Sequence, residues 1–376
     1  MKLTAAAAST AAAAAAALSA HPADLPRPGS DGWALPRDNA TGRVTVDPSV
    51  FPSGMPAFSA YLHARGLKFG IYTSVGPLTC LGYQPTQPKR PGSCGYEAID
   101  AATYAEWGAD QVKDDGCGSC PQHNPYVAMR DALNATGRRI FFSTSPGSQD
   151  PAVSNDWRVG PDLYSSDYSM WTNRLDLATT PAQAALAGQG AFPNPDFLEV
   201  GYSPREPKGA GVMSALEQRS MFTMWAALPT NLILSADLRP GAASGGIDAD
   251  ALATLTNAEV IAVNQDALAA PLRIVANSSD GGAQAWGRPL ASGALAVVLF
   301  HRGANTTGPL PEPPAVREVA VSWAQLGLPA AASVAVRDLW SAKDLGLFSG
   351  AFAQNVSQRD ARLYSFTVQQ AGAGAL

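Results

Sequence analysis

Charged residues are scarce in this chain of 376 residues, and basic residues are not in excess. Only 15% of the residues are charged, and 26 lysines and arginines stand against 31 acidic residues, for a net charge of −5. Proteins that bind nucleic acid or anionic membranes present a basic surface. We therefore expect neither nucleic acid nor a membrane as a partner. A neutral small molecule fits the charge balance better than a phosphorylated one.

Several motifs that bind cofactors or metals are also missing. No G-x-G-x-x-G or G-x-x-x-x-G-K-[ST] sequence follows a predicted strand, which argues against a nucleotide-binding sheet. The four histidines are scattered along the chain and form no cluster, so none is a credible metal ligand or general base. We expect no cofactor and no metal.

The chain begins with the layout of a secretory signal peptide. One lysine precedes an alanine-rich stretch that ends in the small residues of segment 17–20. A low-complexity leader or a transit peptide is the alternative. We assign residues 1–22 to this leader, and no later apolar run reaches the length of a membrane helix.

Five Asn-x-Ser/Thr sequons also indicate the secretory pathway, so we expect a protein that is secreted or resides in the lysosome or vacuole. Their asparagines are Asn39, Asn134, Asn277, Asn305 and Asn355.

All cysteines of the chain fall within one short stretch. They are Cys80, Cys94, Cys117 and Cys120. In an oxidising compartment this clustering predicts one or two disulfides that brace a loop region. The Cys-x-x-Cys spacing, followed by His123, leaves a zinc site or a redox pair as the alternative.

Residues 27–268 are predicted to form a (β/α)8 barrel of the TIM type. Helical and strand patterns alternate from about residue 54 onwards at spacings that suit βα units. Helices are expected over residues 55–66, 96–108, 125–136, 213–228 and 249–262, and strands over residues 67–74, 110–116, 138–145 and 196–201. Polar residues gather where the predicted strands end, as in Tyr72, Lys113, Asp115 and Ser145. A barrel takes its reacting groups from these carboxyl ends of many strands.

The pattern of residue types along the sequence changes after Pro271. Short β-branched or alternating runs are separated there by glycine, proline, asparagine and serine, and helix signals are weak. This pattern predicts an antiparallel β-sandwich over residues 271–376.

Two carboxylates at strand ends are the candidates for chemistry. Asp115 follows Lys113 by two residues, so both lie on one strand face and the cation favours an ionised carboxylate. Asp162 follows Arg158 by four residues and provides a second carboxyl group. Two carboxyl groups on either side of a sugar ring suffice for glycoside hydrolysis. Helix caps or solvated charges are the alternative for both.

The sequences of several segments resemble those of glycoside hydrolase family 27, the melibiase group of α-galactosidases and α-N-acetylgalactosaminidases. The resemblance runs from about residue 30 to the end, and the segments keep the family's order. They read FPSGMPAFSAYLHARGLKFGIYTSVGPLTCLGY, GYEAIDAATYAEWGADQVKDDGC, NPDFLEVG, MFTMWAALPTNLILSADLR and VIAVNQDALA. The resemblance implies the same barrel and sandwich, and a retaining exo-glycosidase that removes terminal α-D-galactosyl residues from oligosaccharides or glycoconjugates.

The resemblance also implies roles for single residues. Asp115 matches the nucleophile and Asp162 the acid/base, and their carboxyl groups are expected about 5 to 5.5 Å apart. It implies a disulfide between Cys80 and Cys117, which leaves Cys94 and Cys120 as a further pair. The residues expected to bind substrate are Asp31, Trp33, Tyr72, Cys80, Lys113, Ser145, Arg158 and Asp196.

The chain departs from the family at its start. Of a second strand that ends in an acidic pair before Cys-Trp, only Asp31 and Trp33 match. The first βα unit is therefore expected to be missing, either because the gene model or transcript is incomplete or because the member is divergent. A catalytically inactive, sugar-binding relative is one rival interpretation.

Substrate choice has its own alternatives. Ser145 and Ser148 stand where small residues in the family make room for a 2-acetamido group, so an α-N-acetylgalactosaminidase is one alternative to an α-galactosidase. A β-L-arabinopyranosidase is another, because its sugar has the same ring stereochemistry. The sequence does not fix the oligomeric state, and a homodimer is left open.

Overall fold

The computed structural model describes residues 31–145, 148–163, 167–201, 213–236, 238, 247–303 and 310–369. The predicted leader and Asn305 lie outside the described residues. The chain divides into two units, and each is described by itself. The first comprises Met1–Pro161, Gly190–Asp196 and Asn231–Ser235, and the second comprises Asp162–Gln189, Phe197–Thr230 and Ala236–Leu376.

A parallel sheet of five strands forms the centre of the first unit, and its strands follow the chain order β3-β4-β5-β6-β7. A separate antiparallel pair, β1 and β2, precedes it. The strands are β1 Ala34–Leu35, β2 Thr45–Val46, β3 Gly70–Ser74, β4 Gln111–Asp115, β5 Phe141–Ser145, β6 Asp156–Arg158 and β7 Phe192–Asn194.

Three α-helices in the described part of the first unit lie between these strands in sequence. Apolar side chains of the strands, including Ile71, Val112 and Phe142, form one buried cluster with Ala101 and Met129 of the helices. Because side chains alternate along a strand, the neighbouring residues of β3, β4 and β5 point to the opposite face of the sheet. The helices are α1 Gly54–His63, α2 Glu97–Glu106 and α3 Pro125–Ala135.

The second unit holds the remaining helices. The longest, α6, begins with a capping box in which Ser214 and Glu217 satisfy each other's backbone N–H groups. Glu217 also forms a buried ion pair of 2.6 Å with Arg359. The helices are α4 Tyr168–Ala178, α5 Pro181–Leu186, α6 Ala215–Ala227, α7 Ala249–Leu255 and α8 Ala258–Asn264.

Two antiparallel sheets complete the second unit, with the orders β13-β12-β15-β10-β9-β8 and β11-β14. Val297 and Val334 of the larger sheet share one apolar core with Val321 and Phe352 of the smaller sheet, so the sheets pack as a sandwich. The strands are β8 Arg273–Asn277, β9 Ala283–Pro289, β10 Leu295–His301, β11 Val316–Ser322, β12 Ser333–Asp338, β13 Lys343–Ser349, β14 Ala351–Ser357 and β15 Ala361–Gln369.

Among the described residues, no helix combines the length and the apolar character needed to cross a bilayer.

Candidate active site

The polar face of the parallel sheet carries two rows of side chains. In one row, Tyr72 of β3, Lys113 of β4 and Ser143 of β5 lie in register. Ser143 is in turn in register with Asp156 of β6. Two residues further along the strands, Ser74, Asp115 and Ser145 form a second row at the carboxyl ends. The candidate site is built on this edge of the sheet.

Asp115 is the last residue of β4, and donors hold both of its carboxylate oxygens. The Tyr72 hydroxyl donates to Oδ2 at 2.7 Å, and the backbone N–H of Gly116 donates to Oδ1 at 2.9 Å. Burial, and after it the Asp115 carboxylate, raise the pKa of Tyr72 well above its usual range. Tyr72 therefore keeps its proton and remains a donor to Asp115.

A disulfide borders Asp115. Cys80 and Cys117 are bonded, and Cys80 Sγ lies 3.3 Å from Asp115 Oδ2 and 3.1 Å from the Tyr72 hydroxyl oxygen. The Ser74 hydroxyl donates to the carbonyl of Asp115 at 2.9 Å and accepts the N–H of Cys117 at 3.1 Å. The turn that follows β4 is thus fixed to the neighbouring strand. The disulfide implied by the family resemblance is confirmed.

The second expected disulfide is also confirmed, because Cys94 and Cys120 are bonded. Close by, His123 and Glu97 share a hydrogen bond of 2.7 Å. Among the described residues, two groups of side chains lie close enough together to hold a metal ion. They are Cys80, Asp115 and Cys117, and Glu97, Cys120 and His123, and each includes at least one sulfur atom of a disulfide. Sulfur in a disulfide is not a thiolate ligand, so neither group supplies the donors of a zinc site.

Lys113 points to the same face as Asp115. Its Nζ lies 5.7 Å from the centre of the Tyr72 ring, within the range of a cation–π contact. Tyr72 thus lies within reach of both the ammonium group and the carboxylate.

Asp31 and Trp33 support this edge of the sheet from an earlier part of the chain. The Asp31 carboxylate accepts the backbone N–H of Leu81, the residue after Cys80, at 2.7 Å. Burial raises the pKa of Asp31. The indole N–H of Trp33 donates to the Tyr72 carbonyl at 3.0 Å, and its ring packs edge-on against Trp107. The described contacts of Trp33 are those of a core residue.

Arg158 and Asp196 form an ion pair of 2.8 Å, and each side chain is only 3% exposed. Asp196 has a φ of 84°, a left-handed conformation that is uncommon outside glycine. Asn194 holds this backbone because its side-chain oxygen accepts the N–H of Asp196 at 2.7 Å. Two of the predicted substrate-binding residues are therefore brought together.

Ser145 ends β5 in register with Asp115 and is buried. Its carbonyl accepts the hydroxyl of Tyr126 at 3.3 Å. Ser148 is also described, and its carbonyl accepts the Thr144 hydroxyl at 3.3 Å.

Asp162 belongs to the second unit and is exposed. It follows the end of β6 by four residues. Its separation from Asp115 stays a prediction.

Asp156 is a polar residue of this face that the sequence analysis missed. It is fully buried, and Ser143, Asn194 and Asn231 donate hydrogen bonds to its carboxylate. The available signal was its position two residues before Arg158, which places both side chains on one face of a strand. A short polar segment gave no reason to expect a strand.

The profile of the family described as "Alpha galactosidase A" matches residues 29–266, well over half of the chain. The chain belongs to glycoside hydrolase family 27. A second profile, "Alpha galactosidase C-terminal beta sandwich domain", matches residues 280–366. The recognition from sequence is confirmed.

Individual relatives agree with this assignment. The probable α-galactosidase of Dictyostelium discoideum is 38% identical over 331 residues, which cover 86% of this chain and 77% of the relative. Alpha-galactosidase 3 of Arabidopsis thaliana is 37% identical over 351 residues, which cover 90% of this chain and 72% of the relative.

The crystal structure of α-galactosidase I from Mortierella vinacea matches with a TM-score of 0.74 and 30% identity, over 89% of this chain and 85% of that chain. The predicted fold class, a TIM-type barrel followed by an antiparallel β-sandwich, is confirmed by this similarity and by the sandwich profile.

Proposed function

We propose that this family 27 member is a retaining exo-glycosidase that hydrolyses terminal α-D-galactosyl residues of oligosaccharides or glycoconjugates. The observation that carries the proposal is the setting of Asp115, a carboxylate at the end of β4 whose two oxygens are held by Tyr72 and the N–H of Gly116. A nucleophile held in one orientation loses little freedom when it attacks, which lowers the barrier of the chemical step. Relatives that are 38% and 37% identical and are named as α-galactosidases support the choice of sugar.

In the first step, Asp115 attacks the anomeric carbon, and a bond forms between its carboxylate oxygen and that carbon. The bond from the anomeric carbon to the aglycone oxygen breaks, and Asp162 gives its proton to the departing oxygen. In the second step a water molecule gives a proton back to Asp162, and its oxygen displaces Asp115. Two inversions produce net retention. Retaining chemistry of this kind uses carboxyl groups about 5 to 5.5 Å apart.

Three of the other predicted residues, Lys113, Arg158 and Asp196, are proposed to bind the sugar hydroxyls. Lys113 and the Arg158–Asp196 pair supply a donor cation and a charged pair on the face of Asp115. Ser145 is proposed to line the part of the pocket that receives position 2 of the sugar, where its small size also suits an acetamido group.

The proposal extends to location. We propose that the protein is secreted or resides in the lysosome or vacuole and that its sequons carry glycans. The partner is a galactose-containing oligosaccharide or glycoconjugate.

Kinetics with nitrophenyl glycosides test this function. The wild-type protein is expected to turn over nitrophenyl α-D-galactoside faster than the α-N-acetylgalactosaminide or the β-L-arabinopyranoside. Asp115→Asn is expected to lower kcat by at least about 1,000-fold, because an amide is a poor nucleophile. Asp131→Asn, an exposed carboxylate on α3, is the matched control and is expected to keep full activity. Faster turnover of the acetamido sugar would overturn the substrate assignment, and no hydrolysis at all would favour an inactive sugar-binding relative.

A further inference from the structure

Asp156 is a carboxylate that the proposed chemistry does not use. It begins β6 and is 0% exposed. It ends the row of side chains that runs from Tyr72 through Lys113 and Ser143 on the polar face of the sheet. An unused carboxylate is thus buried on the face that carries Asp115.

Hydrogen-bond donors surround the Asp156 carboxylate. The Ser143 hydroxyl donates to Oδ1, and the side-chain amides of Asn194 and Asn231 donate to Oδ2 at 2.6 and 2.7 Å. Two cations, Lys113 of β4 and Arg158 of its own strand, act on its charge. These three neutral donors hold the ionised carboxylate in place, because a hydrogen bond to a charged acceptor is stronger than one between two neutral groups.

A chain of contacts leads from Asp156 to the charged pair. Asn194 donates to Asp156, and the oxygen of the same amide accepts the backbone N–H of Asp196 at 2.7 Å. Asp196 then pairs with Arg158 at 2.8 Å. Because the amide of Asn194 has one donor side and one acceptor side, its bond to Asp156 fixes which side faces Asp196.

We propose that Asp156 is a positioning residue for sugar binding, whose ionised carboxylate orients Asn194 and so the Asp196–Arg158 pair, and balances the charge of Lys113. The proposal rests on the proposed function, because it gives these three charged residues the task of holding the sugar. It assigns to Asp156 no contact with the sugar and no part in bond making or breaking.

The state of Asp156 should be visible in the pH dependence of binding. Burial raises its pKa from 3.8 to about 6. Protonated Asp156 no longer balances Lys113, so KM for the galactoside is expected to fall as the pH rises through about 6. The value of kcat should follow this change little, because interactions that bind substrate and transition state alike appear in KM.

Asp156→Asn is the central variant because an asparagine has the shape of the protonated side chain and cannot ionise. Its KM for nitrophenyl α-D-galactoside is expected to equal that of the wild type at pH 4 and to exceed it roughly tenfold at pH 8, the size expected for one lost charged hydrogen bond, with kcat within about threefold. Asp100→Asn is the matched control. Asp100 is equally buried, but it lies on α2 and bonds to Arg37 and Ser93. Its KM is expected to follow the wild type at both pH values.

Asn231→Ala keeps the carboxylate and removes one of its donors. The KM curve of this variant is expected to keep its shape and to move to higher pH, because the ionised form of Asp156 has lost a partner. This variant carries the test if Asp156→Asn does not fold.

Calorimetric binding of galactose separates this proposal from the proposed function, because it needs no hydrolysis. Asp156→Asn is expected to bind galactose more weakly than the wild type at pH 8 and equally well at pH 4. A ratio between variant and wild type that is the same at both pH values would overturn the positioning role, even in an active enzyme. A wild type that does not hydrolyse galactosides but shows this pH-dependent difference in binding would overturn the proposed function and leave the positioning role standing.

Discussion

Tyr72 of β3 helps to fix the carboxylate of Asp115 on the neighbouring strand β4. Its hydroxyl donates to Asp115 Oδ2 at 2.7 Å, its ring lies 5.7 Å from Lys113 Nζ, and its backbone carbonyl receives the indole N–H of Trp33. A hydrogen bond to a charged group contributes about 1.5–3 kcal/mol, which corresponds to roughly 10- to 100-fold in an equilibrium constant. The position of Asp115 Oδ2 therefore depends in large part on this hydroxyl group.

Tyr72→Phe removes this hydroxyl and keeps the ring. The value of kcat/KM for nitrophenyl α-D-galactoside is expected to fall by roughly 10- to 100-fold, because Asp115 loses a donor that fixes its attacking group. Steady-state kinetics provide the measurement. Tyr61→Phe, which removes the hydroxyl of an exposed tyrosine on α1, is the control and is expected to keep the activity of the wild type. Equal losses in the two variants would contradict a special role for Tyr72.

Asp156 makes a separate prediction for stability. Its pKa is about 6 in the folded protein against 3.8 for the ordinary side chain, and burial is the main cause. Folding therefore favours the neutral form, so its contribution to stability is complete below about pH 4 and is lost as the pH rises through about 6. At about 1.4 kcal/mol per pKa unit, the loss is about 3 kcal/mol at pH 7.

Asp156→Asn cannot ionise, so the variant escapes this loss. Between pH 4 and pH 7, the free energy of unfolding of the wild type is expected to decrease relative to that of the variant by about 2 to 3 kcal/mol. Urea unfolding at the two pH values measures this difference. Other buried carboxylates, such as Asp100 and Asp114, are present in both proteins and cancel in the comparison. Parallel pH profiles would contradict the raised pKa.

At the scale of elements, the first strands of the sheet were predictable from sequence. Each of the runs at β3, β4 and β5 places one apolar residue in the core on the helix side, and each ends in a polar residue on the other side; the core residues are Ile71, Val112 and Phe142. The helix patterns also predicted α1, α2, α3 and α6. In these segments local pattern and tertiary burial agree.

Other elements could not be found in this way. The segment 196–201 was predicted to be a strand, but the strand of that region is β7, which ends at Asn194, and Asp196 just after it has a positive φ. The helix predicted near 249–262 is interrupted, because Asn257 caps the start of α8 through its side chain. The strand β6 has three residues, too few for a periodic signal, and Asp156 was missed with it.

The site was predictable to a similar degree. The resemblance to the family predicted the residues around Asp115, and the structure places Tyr72, Cys80 and Cys117 beside it. The amides that hold Asp156 come from distant parts of the chain, at Asn194 and Asn231. No local pattern marks two asparagines that meet one carboxylate only after folding.

The two disulfides should differ in function although they constrain similar loops. They close sequence separations of 37 and 26 residues, and loops of this size correspond to about 3 to 4 kcal/mol of stability each. Replacing Cys94 and Cys120 by serine is expected to lower the free energy of unfolding by that amount and to leave kcat/KM at 25 °C nearly unchanged.

Replacing Cys80 and Cys117 by serine is expected to lower stability similarly and also to reduce kcat/KM at least about tenfold. The physical reason is that Cys80 Sγ contacts both Asp115 and Tyr72, so its loss frees the nucleophile. Urea unfolding and steady-state kinetics on both double variants provide the comparison. Equal activity of the two double variants would show that the first disulfide acts only on stability.

For the whole molecule, the sequons make a prediction about glycosylation. Four of the five sequon asparagines, Asn39, Asn134, Asn277 and Asn355, are exposed in the described residues, and Asn305 lies outside them. Exposed acceptors are accessible to the glycosylation machinery. Protein produced in a eukaryotic secretory pathway is therefore expected to lose mass on treatment with a peptide N-glycosidase. Replacing the four asparagines by glutamine is expected to remove most of this change, and a mass equal to that of the bare polypeptide before treatment would contradict the proposed location.

The most direct test of the account is to trap the covalent galactosyl intermediate. A 5-fluoro-α-D-galactosyl fluoride allows attack and slows the release by water, so the sugar is expected to remain ester-linked to Asp115. Mass spectrometry of a tryptic digest, after reduction of the disulfides, should find the added fluorogalactosyl mass on the peptide that follows Lys113. The label on Asp156 or on any carboxylate other than Asp115, or turnover of galactosides without a trapped intermediate, would contradict Asp115 as the nucleophile.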